Sequence, residues 1–193
     1  MKDKKEKKRR SNIYIPNGTL MSYMVQECSL SRVLEIFFKE PTSVHFIKEI
    51  SRRINLAHTS VRKHIKSLAK KNLILKKKSH PFDGYISNRE NEDFLWMKRT
   101  YNFSSLKPLR DFIAEKLYPQ LIVIFGSYFL GEDIESSDID VFILSKSKKN
   151  LDFESFEELY KRKINAIVAS DVSKINQSLK KKIMNGFVIH GSF

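Results

Sequence analysis

Residues 121–144 have the sequence LIVIFGSYFLGEDIESSDIDVFIL, which decides the fold of the second half of the chain. Leu121–Phe125 is an uninterrupted apolar run and predicts a buried strand. This strand leads directly into Gly126 and Ser127, and a second apolar strand, Val141–Leu144, follows the motif Asp138-Ile139-Asp140. We therefore predict two buried strands, with the polar residues gathered where the first ends and the second begins.

The spacing of the two aspartates predicts a metal site. Side chains alternate along a strand, so Asp138 and Asp140 project from the same face, ~6.6 Å apart along it at ~3.3 Å per residue. Two such carboxylates favour a hard cation, Mg²⁺ or Mn²⁺. Phosphate oxygens and water usually supply the remaining ligands of such an ion. Gly126 allows the backbone to approach a phosphate closely, and Ser127 adds a hydroxyl donor.

Two common phosphate-binding motifs do not fit this loop. No lysine follows a run of glycines, so it is not a Walker P-loop, and Gly126 and Gly131 do not form G-x-G-x-x-G. A dinucleotide-binding fold is therefore disfavoured.

The whole run resembles the minimal nucleotidyltransferases of the polymerase-β superfamily, in which a strand, Gly-Ser, a short spacer and Asp-x-Asp follow one another. The resemblance extends from about Leu121 to Gly191. It implies that Gly126 and Ser127 bind the phosphates of a nucleoside triphosphate, and that Asp138 and Asp140 are catalytic and bind two Mg²⁺ ions. The reaction implied is in-line attack by an acceptor hydroxyl, on a protein or an RNA, on the α-phosphate with release of pyrophosphate.

This chain departs from that pattern at two positions. Leu130 stands where the family often has an arginine, which removes one phosphate contact. The family also has a third carboxylate on a later strand, and the matching position, in the predicted strand 163–168, is Asn165. Asp171 lies six residues further on, ~20 Å along an extended strand, so we expect it to cap a helix over Ser173–Met184 instead.

The net charge of +14 is confined to the first half of the chain. Residues 121–193 contain ten basic and ten acidic residues, whereas residues 1–120 contain 26 basic and 12 acidic ones. This asymmetry indicates a basic half that binds nucleic acid, joined to a half with another task.

Three helical patterns and a hairpin follow one another in that basic half. The first helix, around Ser31–Lys39, ends before Pro41, and the second follows a Thr42/Ser43 cap. The third has Val61, Ile65 and Leu68 on its inner face. Strands at 73–77 and 85–87, with a turn at 81–84, complete the order of a winged helix.

Residues 29–88 resemble the winged helix-turn-helix regulators of prokaryotes, most of all in TSVRKHIKSLAKKNLI, residues 59–74. That resemblance implies double-stranded DNA as a partner, with the third helix in the major groove. Winged helices also serve as protein-interaction modules, but the positive charge of the outer face of the third helix favours DNA. The sequence leaves open whether the protein binds DNA as a homodimer. The candidate DNA-binding residues are Thr59, Ser60, Arg62, Lys63, Lys66, Lys70 and Lys77.

The expected fold is thus α+β, an N-terminal winged helix-turn-helix followed by a small mixed-sheet α/β nucleotidyltransferase domain. We divide it into a partly disordered basic tail (1–28), a winged helix (29–88), a helical connector (89–118) with Ser104 or Ser105 capping its second helix, and the nucleotidyltransferase-like domain (119–193). A single cysteine, no secretory signal and no apolar run of ~20 residues predict a cytoplasmic protein without a membrane partner.

Three functions fit the sequence. The first is nucleotidyl transfer to an unknown acceptor, coupled to DNA binding. The second is a transcriptional regulator whose nucleotidyltransferase domain only senses nucleotide, which Asn165 favours. The third is a component of a toxin–antitoxin pair.

Overall fold

The computed structural model of the protein describes residues 28–78, 80–147 and 149–192. The tail predicted for residues 1–28 lies, apart from Cys28, outside them. In the part that is described, no helix is both long and apolar enough to span a membrane.

The basic half contains three helices and a hairpin in the predicted order. The elements are α1 (Ser29–Lys39), α2 (Ile47–Arg53), α3 (His58–Lys70), β1 (Ile74–Lys77) and β2 (Gly84–Ser87). The two strands pair antiparallel, and an isolated bridge joins His45 to Tyr85 of β2. The expected inner face of α3 is buried, because Val61, Ile65 and Leu68 pack in one core with the apolar residues of α1.

The predicted cap of the second helix is wrong. Helix α2 begins at Ile47, and the Glu49 carboxylate accepts a hydrogen bond from the backbone N–H of Phe46 (3.2 Å). Thr42 and Ser43 instead donate to Glu135 in the other half of the chain. They are suitable capping residues, but they lie too far before the helix to reach its first turn.

Two helices connect the halves, α4 (Glu92–Ser105) and α5 (Lys107–Leu117). Phe94 of α4 packs in the core of the basic half, whereas Leu109 and Ile113 of α5 pack in the core of the C-terminal half. The predicted capping of α5 by Ser104 or Ser105 is wrong. Both serines belong to the last turn of α4, where their hydroxyls donate to backbone carbonyls of that same helix.

A four-stranded mixed sheet forms the centre of the C-terminal half. Its elements are β3 (Leu121–Phe125), α6 (Gly126–Leu130), β4 (Ile139–Leu144), α7 (Glu154–Tyr160), β5 (Ile164–Ala169), α8 (Gln177–Met184) and β6 (Phe187–Gly191). The strand order is β5-β4-β3-β6, with β4 and β5 parallel and the other pairs antiparallel. This small mixed sheet is consistent with the predicted α/β architecture.

Helices cover both faces of this sheet. Ile122 and Ile124 of β3 pack on the side of α5 and α7, whereas Val123 and Phe125 pack on the side of α8. Burial on both faces explains why Leu121–Phe125 is apolar at every position.

Two predictions around the sheet need correction. The chain after β3 is the short helix α6 rather than a loop. The helix predicted over Ser173–Met184 consists of a 3-10 turn at Val172–Lys174 and of α8, which begins at Gln177. Asp171 caps only the 3-10 turn, and Asn176 caps α8 with its own side chain.

Candidate functional site

Strand pairing brings the Gly-Ser loop and the second aspartate together. In the β3–β4 ladder, Phe125 is the partner of Asp140, so Gly126 follows directly beside that carboxylate. In the β4–β5 ladder, Asp140 is the partner of Asn165. The three predicted positions Gly126, Asp140 and Asn165 therefore lie side by side at one end of the sheet.

Gly126 is required here for two reasons. Its φ of 75° lies in the left-handed region, which side-chain-bearing residues rarely adopt. A Cβ at this position would also collide with Oδ2 of Asp140. The absence of a side chain thus lets the Asp140 carboxylate lie against the backbone at the start of α6.

Asn165 occupies the place expected for a third carboxylate. Its Nδ2 donates a 2.8 Å hydrogen bond to Oδ1 of Asp140, and the Asn165 side chain is exposed. A carboxylate here would face Asp140 at the same distance, with repulsion between the two in place of a hydrogen bond. Asp171 does not replace it, because it follows the end of β5 whereas Asn165 is near its start; its Oδ1 accepts from the backbone N–H of Ser173 (2.8 Å).

Asp138 and Ser127 complete the predicted set. Asp138 is exposed and lies one residue before β4, two positions from the partly buried Asp140. Ser127 is in the first turn of α6, and its carbonyl accepts from the backbone N–H of Glu132 (3.0 Å). Within 28–78, 80–147 and 149–192, no group of three or more His, Cys, Asp or Glu side chains is arranged to hold a metal ion.

Tyr128 packs inside the protein and is not available to stack on a nucleobase. Its side chain is buried, its hydroxyl lies 3.0 Å from that of Ser105, and burial raises the pKa of the phenol. An apolar groove lies beyond it, lined among others by Trp96, Phe103, Phe129 and Phe187. The groove includes Ile124, so it opens on the α5 side of the sheet, opposite the face shared by Phe125 and Asp140.

The candidate DNA-binding residues lie on α3 and at the end of β1. Thr59, Arg62, Lys63, Lys66 and Lys70 are exposed on α3 and Ser60 is partly buried there, while Lys77 is exposed at the end of β1. Helix α3 contains no acidic residue. In the described part of the chain, the five cations of this set form no ion pair with a carboxylate, in contrast to Lys76, which pairs with Asp83 (2.6 Å).

The contacts that hold the segment between α6 and β4 were not predicted from the sequence. Asp133 in this segment is buried with the side chains of Lys98, Asn102 and Arg162. A signal was present in α4, where Phe94, Lys98 and Asn102 recur every four residues on the buried face. A lysine and an amide on that stripe indicate buried polar partners elsewhere in the chain.

Comparisons with known proteins concern the second half of the chain. No curated protein and no solved structure gives a significant match. One family model does match, and the region it covers begins just before α5 and includes β3, α6, β4 and β5. Residues 106–190, the part of the chain that carries the candidate site, match the model of the nucleotidyltransferase domain family.

Proposed function

We propose that the C-terminal half binds a nucleoside triphosphate with Mg²⁺ or Mn²⁺ and transfers a nucleotidyl group to an acceptor hydroxyl on a protein or an RNA. The single observation that supports this most is the direct contact between Gly126 and the Asp140 carboxylate. This contact brings the Gly-Ser pair at the start of α6 and the acidic strand β4 within reach of one ligand, and a metal-bound triphosphate is such a ligand.

The residues present fit one hard cation. Asp138 and Asp140 would hold it, and the side-chain oxygen of Asn165 would be a neutral third donor once its amide turned away from the hydrogen bond to Asp140. When bound, such a cation would neutralise charge at the phosphoryl group and help to orient the attacking and leaving oxygens. A second cation would have fewer anionic ligands here than in a site with three carboxylates, because Asn165 carries no charge.

The other side chains bind and orient. The Ser127 hydroxyl and the backbone N–H groups around Gly126 would donate to phosphate oxygens. Asn165 is not a base, so the proton of the acceptor hydroxyl passes to another group, such as water or the substrate. We therefore expect transfer that is slower than a third carboxylate would allow.

We further propose that residues 29–88 are a winged helix that binds double-stranded DNA through α3. The exposed cations of α3 and Lys77, which form no ion pair within the described residues, favour this over a protein-interaction role. Asn165 favours a second candidate function for the whole protein, a DNA-binding regulator whose C-terminal half binds nucleotide without turning it over.

Label transfer distinguishes the two functions. The protein is incubated with each α-labelled triphosphate, Mg²⁺ or Mn²⁺ and a cell extract divided into protein and RNA, and pyrophosphate is measured in parallel. We expect label on one acceptor class, lost in Asp140→Asn and kept in Glu158→Gln, which neutralises an exposed acid of α7. If the protein bound nucleotide but released no pyrophosphate and labelled no acceptor in an Asp140-dependent way, nucleotidyl transfer would be contradicted. The regulator that only senses nucleotide would then be the remaining function.

A further inference from the structure

The segment Leu130–Glu135, which we name the spacer segment, joins α6 to the residues that carry Asp138. It belongs in sequence to the nucleotide-binding half, yet most of its contacts come from residues 39–102. Six side chains of that region reach it by hydrogen bonds or ion pairs: Arg99 to the carbonyl of Leu130, Arg89 to that of Glu132, Lys98 and Asn102 to Asp133, and Thr42 and Ser43 to Glu135.

The spacer segment also lies tightly against α4. Gly131 has a φ of 72°, and a Cβ there would meet the carbonyl oxygen of Leu95 at 2.7 Å and the backbone nitrogen of Arg99 at 3.1 Å. Arg99 donates to the carbonyl of Leu130 from Nε (3.2 Å) and Nη2 (3.0 Å). The end of α6 is therefore fixed to the backbone of α4.

Buried charge fixes the middle of the segment. Asp133 is 1% exposed, and its carboxylate contacts Lys98 Nζ, Asn102 Nδ2 (2.7 Å) and Arg162 Nη2 (2.8 Å). Arg162 also donates to the carbonyl of Ile134 and, over 3.3 Å, to that of Lys39 at the end of α1. Buried charges tolerate little displacement, because each would lose its partners without gaining water.

Glu135 fixes the end of the segment to the basic half. Its carboxylate accepts from the Thr42 N–H (3.1 Å), the Thr42 hydroxyl (2.6 Å) and the Ser43 hydroxyl (3.0 Å). Glu135 lies in a turn over residues 134–137, since Ser137 N–H donates to the Ile134 carbonyl and the Ser137 hydroxyl accepts from the Ile134 N–H. That turn leads directly into Asp138.

From these contacts we propose that Glu135 is a positioning residue through which the basic half sets the place of Asp138 and thereby the affinity of the nucleotide site. The Thr42–Ser43 turn lies between α1 and α2, in the same packed unit as α3. A ligand on α3 that shifts this turn changes nucleotide affinity, and nucleotide changes the affinity of that ligand by the same factor. The coupling rests on the proposed function, whereas the positioning itself is testable without ligand.

Hydrogen exchange of the ligand-free protein tests the positioning. Thr42→Val/Ser43→Ala removes both hydroxyl donors to Glu135. We expect exchange at the backbone amides of residues 136–140 to accelerate roughly fivefold or more, while exchange in the core of α3 is unchanged. The matched control is Thr100→Val/Ser104→Ala, which removes two exposed hydroxyls of α4 that bond only within that helix. Exchange at 136–140 equal to that of the control would overturn the proposal.

Calorimetry with MgATP separates this inference from the proposed function. We expect Glu135→Ala to weaken MgATP binding roughly fivefold or more. Glu135→Gln should have an intermediate effect, because its single amide oxygen can still accept the two bonds that Oε1 accepts from the Thr42 N–H and the Ser43 hydroxyl, but not the bond that Oε2 accepts from the Thr42 hydroxyl. If the native protein bound no nucleotide, the proposed function would fail, and the exchange measurement would still decide the positioning. Native binding that is equal in Glu135→Ala would overturn the positioning role.

Discussion

Asn165 is the residue on which the chemistry of this site depends most. The register of β4 and β5 places it beside Asp140, at the position that the resemblance to nucleotidyltransferases implies for the third carboxylate. Its hydrogen bond to Asp140 was not predictable. It depends on a side-chain rotamer and on the distance between the two strands, and the local sequence predicts neither.

Asn165→Asp places a second carboxylate within hydrogen-bond distance of Asp140. We expect this variant to be less stable than the native protein without metal, by about 1–2 kcal/mol, because like charges repel at this range. Mg²⁺ should then raise its melting temperature more than that of the native protein, and pyrophosphate release should increase. Thermal unfolding with and without Mg²⁺ measures this. Asn185→Asp, an exposed change of the same kind in the turn after α8, should show no added response to Mg²⁺, and an equal response in both variants would contradict the expectation.

Among the elements, α3 shows what a regular pattern can predict. Its buried residues recur at the helical period, so the inner face and the opposite basic face both follow from the sequence. Thr42 and Ser43 show what a local pattern cannot predict. Their type and their place before a helix indicated a local cap, but their partner is more than 90 residues away, and local patterns carry no information about it.

Neutralising the outer face of α3 should weaken DNA binding in a salt-dependent way. For Lys63→Ala/Lys66→Ala, we expect the slope of log affinity against log salt to fall by about 2, roughly 0.9 for each phosphate that is no longer neutralised. Fluorescence anisotropy with labelled duplex DNA at several salt concentrations measures the slope. Lys181→Ala/Lys182→Ala makes the same change in net charge on α8, and an equal decrease in slope there would show that binding is not localised on α3.

The spacer segment should respond to acid through Glu135. Burial opposes ionisation of Glu135, but hydrogen bonds from Thr42 and Ser43 prevail and lower the pKa of this carboxyl. A lowered folded-state pKa means that the contribution to stability is full above the unfolded value, ~4.3, and is lost as pH falls through the folded one. Native protein should therefore be more stable than Glu135→Gln by about 1–2 kcal/mol at neutral pH.

That difference should shrink as pH falls below the ordinary range of glutamate. Urea unfolding of both proteins at a series of pH values measures it. A difference that stays constant into acid would mean that the charge of Glu135 does not hold the segment.

For the whole molecule, the excess positive charge lies in residues 1–120, and the nucleotidyltransferase family model matches residues 106–190. Basic and acidic residues are counted from the sequence alone, so the charge asymmetry could be read without the structure. The contact between the halves was not predictable, because it is made by Lys98, Asp133 and Arg162, whose partners are set by tertiary packing. Burial lowers the pKa of the Lys98 ammonium group to about 8, although the neighbouring Asp133 carboxylate acts in the opposite direction.

We propose above all that Gly126, Ser127, Asp138 and Asp140 form one site for a metal-bound nucleoside triphosphate. Isothermal titration calorimetry with ATP, CTP, GTP and UTP in the presence of Mg²⁺ is the decisive measurement. We predict that at least one nucleotide binds the native protein and Glu158→Gln alike, and that Asp138→Asn/Asp140→Asn abolishes this binding. Absence of binding for all four nucleotides, or binding unchanged in the double variant, would contradict the proposal.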